Sequence, residues 1–594
     1  MIDKELAATF DRRSALFITG GVILTSLLVL RMLQLQVFEN KKYKRLSGNN
    51  SSRIIIQPAA RGKILAADGS ILARDEAVYR AFIIPNECED ISAVIDVSAK
   101  ILNLSKKSIE RIQKRIETQS KFQPVLLKEN VKWEQLAALK SLSLAGLHLE
   151  SGFARKYPGP ALAAHTVGYV GTIDDSRTNP QVAATSPFLV RGIAGLEKVF
   201  DDSLSGRPGK IITNIDAIGR MLDDSAEARL VPIPGKNLST TIRENVQKKM
   251  EDALAANAAG CGVALDIDTG AILAMASAPS FDANRFRADD GADYMDELRK
   301  NKLKPFMNKA IEGLYPPGST FKIVVAMAAL ESGAISQSEK ILCTGSWEYG
   351  DHLYHCWEKH GHGWVNLTDA LQHSCDIYFY QLALRIGINP IKSMAEKLGF
   401  GQKLLNLLPF EAAGIIPDRE WKQKNVHQSW MHGDTIISGI GQGYILANCL
   451  QLAVMGARAA SNRAVIPYIT AGGEPAAAGD IGLNPDNIKI LLNGLAKVTK
   501  EGGTAAGTQW IVKNMGGKTG TSQVRRISMQ ERETGVLTNE QLQWEQRNHG
   551  LFVGLAPIDN PKYSVAIITE HSGGSGQAAR AAAEVIKELL ANSV

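Results

Sequence analysis

The residues best suited to chemistry lie in Pro316-Pro317-Gly318-Ser319-Thr320-Phe321-Lys322, which runs directly into the apolar stretch Ile323 to Leu330. A Pro-Pro-Gly turn opening into such a run delivers a helix, with Ser319 at its start and Lys322 one turn further on the same face. A serine hydroxyl is a poor nucleophile until a base takes its proton, and a lysine whose charged form is disfavoured by burial can be that base. Backbone N–H groups at the helix start favour developing negative charge. An arbitrary Ser-x-x-Lys is more often a helix cap followed by a surface lysine. Here Ser319 is the only serine in the chain with a lysine three residues later, and that lysine is followed by apolar residues rather than a solvated face. Two further clusters follow in order, Ser374-Cys375-Asp376 and Lys518-Thr519-Gly520.

Together the three clusters resemble the signature set of the penicillin-binding proteins and serine β-lactamases, S-x-x-K, S-x-N or S-x-D, and K-T-G. The resemblance implies acyl transfer with Ser319 as nucleophile, Lys322 as base and Ser374 as proton relay. Lys518 then holds the substrate carboxylate, with the Thr519 and Thr521 hydroxyls binding it if they point into the cleft. Gly517 and Gly520 let substrate approach the strand, and the N–H groups of Ser319 and Thr521 are the expected oxyanion donors. Asp376 departs from the commoner Asn. A carboxylate beside two lysines raises their pKa values, which works against Lys322 as a free base. Either burial of Lys322 compensates or Asp376 pairs mainly with Lys518, and the sequence leaves both open.

Cys343, Cys356, His362 and Cys375 form a second constellation, and Cys375 is the middle residue of the Ser-x-Asp cluster. Three thiolates and an imidazole suit a tetrahedral structural zinc. In an oxidising compartment Cys343 and Cys356 would instead pair as a disulfide and leave Cys375 buried. Some relatives of the resembled group carry zinc in this region. His352, His355 and His360 read as surface or packing residues.

These side chains need a scaffold. With 594 residues and 45% hydrophobic content the chain is long enough for two or three cores. A net charge of +6 spread over 67 basic and 61 acidic residues, without a basic cluster interleaved with aromatics, excludes a nucleic-acid-binding reading. Six cysteines in so long a chain exclude a disulfide-scaffold fold. Ser14 to Leu30 is uncharged and Leu33, Leu35 and Val37 extend the apolar character past Arg31, predicting one membrane-spanning helix. No small-x-small cleavage site follows, so the segment reads as a retained anchor. Arg12 and Arg13 favour an inside N-terminus, while Lys41, Lys42, Lys44 and Arg45 weaken that bias.

Beyond the anchor, Ile54 to Ile56 predicts a strand, Lys106 to Glu117 a helix, and Arg61 to Ala73 a hairpin with an Asp68-Gly69 turn. Arg61-Gly62 and Gly195-Leu196-Glu197 resemble motifs of the class B penicillin-binding protein pedestal, although hairpin and turn roles alone would account for each. Asn237 to Ile242 predicts a strand and Glu244 to Leu254 a helix. Val263 to Ile267 and Ile272 to Met275 predict a hairpin, Gly550 to Gly554 and Tyr563 to Ile568 the last strands, and Ala578 to Leu590 the closing helix. Gly439 to Gly443 with Gln451-Leu452-Ala453 resembles a segment behind the family's site, with Asn448-Cys449-Leu450 where Thr-Pro is usual. Arg525 to Arg547 reads as a polar loop beside the cleft.

The expected architecture is a cytoplasmic tail (1–13), an anchor (14–38), an α+β pedestal (39–235) and a transpeptidase domain (236–594) of α/β class with an antiparallel sheet and helices. The resemblance implies a membrane-anchored, monofunctional D,D-transpeptidase of the bacterial inner membrane, with its bulk periplasmic. It would cross-link peptidoglycan stem peptides in elongation and shape maintenance, with serine carboxypeptidase chemistry and penicillin binding. Its implied partners are stem peptides, β-lactams, a membrane lipid-II polymerase and elongation scaffold proteins, and catalysis needs no cofactor beside the candidate structural zinc. The alternatives are a division-specific homologue, disfavoured by Asp376 and the Cys/His cluster, and a non-catalytic β-lactam sensor or scaffold.

Overall fold

The structure is a computed structural model that describes residues 2–39, 52–121, 123–172, 189–215, 221–288, 290–473, 479–525, 531, 537–539 and 541–591. Lys41, Lys42, Lys44 and Arg45 and much of the 525–547 loop lie outside the described residues. The chain divides into two units, the first comprising residues 1–59, 174–188 and 207–233 and the second the remainder.

In the first unit, Ile2–Leu33 is α-helical and Gln34–Phe38 continues it as a π-turn. The apolar portion Ser14–Phe38 has 25 residues, about 37 Å at ~1.5 Å per residue, enough to cross a ~30 Å hydrocarbon layer. The β-branched run lies in strand Ser52–Gln57, paired antiparallel with Gly209–Ile215, which pairs in turn with Met221–Leu230.

In the second unit, strand Ile64–Leu65 turns through Asp68-Gly69 into Ile71–Ile83. Gly69 adopts φ +83, the left-handed conformation this turn requires. Ile71–Ile83 pairs with Val125–Val131 on one side and Leu147–Lys156 on the other, and Lys106–Thr118 is helical as expected. The two pedestal motifs meet in a buried charge cluster. Arg61 Nε donates to Glu197 Oε2 at 2.6 Å and Arg155 Nε to Glu197 Oε1 at 2.6 Å, while Arg61 Nη1 reaches Asp201 at 2.7 Å. The Glu197 side chain is 0% exposed, so this carboxylate is the shared counter-charge of two guanidinium groups. Glu197→Ala is expected to lower stability by about 3–5 kcal/mol, because it removes the fully buried counter-charge of both guanidinium groups and leaves them only the more peripheral Asp201 and Asp75. Equilibrium denaturation of the detergent-solubilised chain measures it, and a change under ~1 kcal/mol would contradict this assignment.

The strand expected over Asn237 to Ile242 shortens to Leu238–Ser239. Its partner in parallel pairing is the two-residue strand Ile64–Leu65, and beyond it Thr241 N turns to Ile469 O.

The remaining elements are labelled in chain order: α1 Glu244–Ala255, β1 Gly260–Asp266, β2 Ile272–Ala278, α2 Lys322–Glu331, α3 Leu367–Gln372, α4 Asp376–Ile386, α5 Cys449–Ser461, α6 Pro485–Val498, β3 Gly516–Ser522, β4 His549–Ala556, β5 Tyr563–Thr569 and α7 Gly576–Ala591. The sheet runs β2-β1-β5-β4-β3 and every pairing is antiparallel. The closing strands β4 and β5 thus dock beside the opening hairpin, combining both ends of the domain in one sheet. Side-chain alternation decides the layers. Leu551, Val553, Leu555, Ala566 and Ile568 face the core shared with α2, α4 and α5. Phe552, Ala556, Val565 and Ile567 face the core shared with α1 and α7. Both faces are covered, so the strands read as continuous apolar runs.

From Lys322 to Leu330, α2 is buried at every position. A helix apolar all round belongs inside a domain, and each fully buried Ile, Val or Leu contributes about 1.5–3 kcal/mol. Asn448 explains how α5 starts without the usual proline: its side chain accepts from Gln451 N at 2.8 Å while Gln451 Oε1 accepts from Asn448 N at 3.1 Å. This reciprocal cap satisfies two donors that the helix start leaves open.

Candidate active site

Ser319 does not begin the α-helix itself. It sits half-buried in a 3-10 turn, Gly318–Phe321, from which α2 starts at Lys322. Lys322 is 0% exposed. Its Nζ donates to Ser374 O at 2.8 Å, Ser374 Oγ at 3.2 Å and Asp376 Oδ1 at 2.7 Å. Three oxygens use the full donor complement of an ammonium group. This joins the first cluster to the second, and it answers the question about Asp376: the carboxylate pairs with Lys322 rather than Lys518.

The third cluster lies on the edge strand β3, reached through the backbone. Gly318 takes φ +53, and a Cβ there would come within 2.7 Å of Thr521 O. A Cβ on Gly520 would meet Thr320 Cγ2 at 2.9 Å and Pro317 O at 3.0 Å. The Ser319 turn therefore lies directly against Gly520 and Thr521. Gly520→Ala should push the turn off the strand and slow penicillin acylation by roughly tenfold or more with little change in melting temperature, measured by stopped-flow with a fluorescent penicillin. Unchanged kinetics would show that the close approach is unimportant. Gln442 Nε2 fixes the same strand by donating to Thr521 O at 3.2 Å, and Gly318 N donates to Gly441 O at 2.9 Å, so the Gly439 to Gly443 segment does buttress this site.

Lys518 is fully buried and its Nζ donates to Thr519 O at 3.3 Å. Burial holds its amine well below the usual lysine range, and the neighbouring Lys322 charge adds to the shift while Asp376 opposes it. Thr521 is exposed towards solvent, whereas Thr519 is 5% exposed and its hydroxyl lies 2.7 Å from that of Thr504. Thr504 was not visible as a site residue in the sequence.

Cys343, Cys356, His362 and Cys375 converge, with all their ligand atoms within 4.8 Å of one another. No two of the six cysteines are bonded to each other. His362 Nδ1 lies 3.6 Å from both Cys343 Sγ and Cys356 Sγ. One imidazole nitrogen has one proton or one lone pair in the ring plane, so it cannot make two equivalent hydrogen bonds. A tetrahedral ion with Zn–S of about 2.3 Å and Zn–N of about 2.0 Å sets the N···S edge at about 3.6 Å, matching both distances. Two of the three thiols carry the acidity of a thiolate ligand, whereas hydrogen bonding to Cys343 and Cys356 pushes the Cys375 thiol well above its ordinary range. Hydrogen bonding from the Cys375 thiol, aided by His362, pulls Cys343 down to about 6 and Cys356 to about 3. The paired Cys356 and Cys343 sulfurs raise His362 to about 9.

The Cys/His cluster and the second motif are physically one object. Cys375 separates Ser374 from Asp376, and Trp357, next to Cys356, donates its backbone N–H to Asp376 Oδ2 at 3.1 Å and its Nε1–H to Ser374 O at 3.2 Å. Ser374 adopts φ +54, a left-handed conformation that costs a non-glycine residue about 1–2 kcal/mol and has to be held by its surroundings. Nothing in the spacing of the sequence points to this role for Trp357, which depends on the fold bringing it to Ser374 and Asp376. His352 is exposed in the hairpin Ser346–Tyr349 and His352–His355, and neither His352, His355 nor His360 joins the cluster.

Comparison with known proteins bears on this arrangement. The family model described as penicillin binding protein transpeptidase domain matches residues 260–591, and that for the penicillin-binding protein dimerisation domain matches residues 56–240. The peptidoglycan D,D-transpeptidase MrdA of Acinetobacter baumannii is 34% identical over 97% of this chain and 88% of its own. Penicillin-binding protein 2 of Helicobacter pylori, solved in complex with MreC, superposes with a TM-score of 0.77 at 25% identity over 91% of this chain and 99% of its own. A chain from the structure described as coordinating polymerization and crosslinking in a peptidoglycan synthase complex gives a TM-score of 0.69 at 28% identity over 98% of this chain and 99% of its own. With a serine, two lysines and a Ser-x-Asp turn gathered on this scaffold, the chain belongs to the penicillin-binding protein transpeptidase family, in its penicillin-binding protein 2 group.

Proposed function

We propose that the chain is a peptidoglycan D,D-transpeptidase of cell-wall elongation and that Ser319 carries the acyl group. The observation that carries this reading is the buried Lys322 amine, bonded at once to Ser374 and Asp376, one turn from a serine whose loop lies against Gly520 and Thr521. Lys322 acts here as the neutral amine: Ser319 Oγ attacks the carbonyl carbon of the penultimate D-Ala, its proton passes to the Lys322 lone pair, and the two N–H groups that the neutral amine carries stay on Ser374 and Asp376. Asp376 stabilises the positive charge that Lys322 then holds. The N–H groups of Ser319 and Thr521 receive the oxyanion. The C–N bond breaks, and Ser374 relays the proton from Lys322 to the departing D-Ala nitrogen. An amine of a neighbouring stem attacks the ester, forms the cross-link and returns Ser319 its proton. Water in place of that amine gives the carboxypeptidase reaction. Lys518 and the hydroxyls of Thr519 and Thr521 orient the terminal carboxylate.

Cys343, Cys356, His362 and Cys375 would hold a structural zinc, and as the four ligands they would tie the second motif to the Cys343–His362 segment, with a structural rather than a catalytic role for the metal. Ser14–Phe38 anchors the chain in the inner membrane with its bulk outside the cytoplasm. The complexes of the H. pylori relative with MreC and of the synthase relative support a scaffold protein and a membrane polymerase as partners of this chain. Proteolytic mapping after exposure of the full-length protein to labelled benzylpenicillin tests the reading: the adduct is expected on the peptide containing Ser319, and an adduct elsewhere, or none, overturns it.

A further inference from the structure

We infer that Thr504 is a positioning residue that aims the Thr519 hydroxyl at the substrate's terminal carboxylate. The inference rests on the proposed acyl-transfer function. The Thr504 and Thr519 hydroxyl oxygens lie 2.7 Å apart, and either can be the donor. A carboxylate can only accept, so Thr519 binds one only when its own proton points into the cleft. That requires the proton between the two hydroxyls to come from Thr504. The direction matters because the opposite arrangement spends the Thr519 proton on Thr504 and turns lone pairs towards the anion. Donation by Thr504 also polarises the Thr519 hydroxyl, strengthening its bond to the carboxylate.

The loop holding Thr504 is built to fix that hydroxyl. Gly502 takes φ +75, and a Cβ on Gly503 would lie 2.2 Å from Val498 O, so the chain turns tightly after α6. Ala505 N donates to Val498 O at 2.9 Å and Thr504 N to Gln372 O at 3.3 Å, while Gln372 Nε2 donates to Glu501 O at 3.1 Å. Gln372 ends α3, two residues before Ser374. The loop thus ties the proton-relay motif to the carboxylate-binding strand through Gln372 on one side and Thr519 on the other.

The test compares acylation of the full-length protein by benzylpenicillin and by its methyl ester, which presents the same ring without the carboxylate. Thr504→Val is expected to reduce acylation by the acid roughly tenfold, the loss of one charge-linked hydrogen bond, and to leave the ester rate within about twofold, so that the acid-to-ester ratio collapses. Thr504→Ser is expected to restore the ratio, since it restores the donor. Equal losses on acid and ester, an unchanged ratio, or failure of Ser to rescue would each overturn the inference. Acylation of Ser319 in the unsubstituted protein, read in the same assay, separates such a failure from failure of the underlying function.

Discussion

Ser319→Ala is expected to leave the fold intact and to abolish the penicillin adduct, lowering acylation by more than about 10⁴-fold. The turn Gly318–Phe321 is held by its backbone, through Gly318 N on Gly441 O and the approach to Thr521, and removing one half-buried hydroxyl disturbs neither. No other hydroxyl replaces it at Lys322. Ser374 Oγ lies 3.2 Å from Lys322 Nζ, but Ser374 is 5% exposed and bound within the second motif. Intact mass after a long incubation measures the outcome alongside a melting curve. An adduct of full stoichiometry on the variant would assign the acyl group to a different residue and dismantle the proposed mechanism.

Breaking the Cys343/Cys356/His362/Cys375 cluster is expected to have the second largest effect, through its hold on the second motif. Ser374 stands at φ +54 with a lysine drawing on both its carbonyl and its hydroxyl, a conformation the chain would leave if released. Cys375 holds it from within and the Cys356-Trp357 pair from the side. Cys356→Ser or His362→Ala should therefore release about one equivalent of zinc per chain, lower the melting temperature and reduce acylation about 100-fold. Metal analysis of the purified protein, calorimetry and stopped-flow acylation read the three effects. Loss of zinc with full acylation retained would make the ion a remote structural feature, and a protein without zinc but with a Cys343–Cys356 disulfide would restore the alternative pairing.

Much of the site was legible because the chemistry is written in short, local patterns. Ser319 and Lys322 are close in the chain, and an apolar run after the lysine announces its burial. The strands β1, β2, β4 and β5 were legible for a related reason: both faces of the sheet are covered, so their apolar runs are continuous and bounded by turn residues. Where two long-range partners compete, the sequence could not choose. Asp376 is 54 residues from Lys322 and much further from Lys518, and only the packing of α2 against α4 sets which amine it meets. The pairing of the two pedestal motifs was hidden for the same reason: Glu197 is 136 residues from Arg61, and each alone looks like a turn residue.

By itself the sequence determined which groups are present: an alcohol, two amines, a carboxylate and a soft four-ligand set, in the order of a known family, on a chain with one span-length apolar helix. The tertiary structure decided their pairing, with Asp376 on Lys322, Thr504 on Thr519 and Trp357 joining the Cys/His cluster to Ser374. Local spacing fixes contacts within a turn or a strand pair, whereas contacts between distant segments depend on how covered faces stack, and that stacking is a property of the whole core.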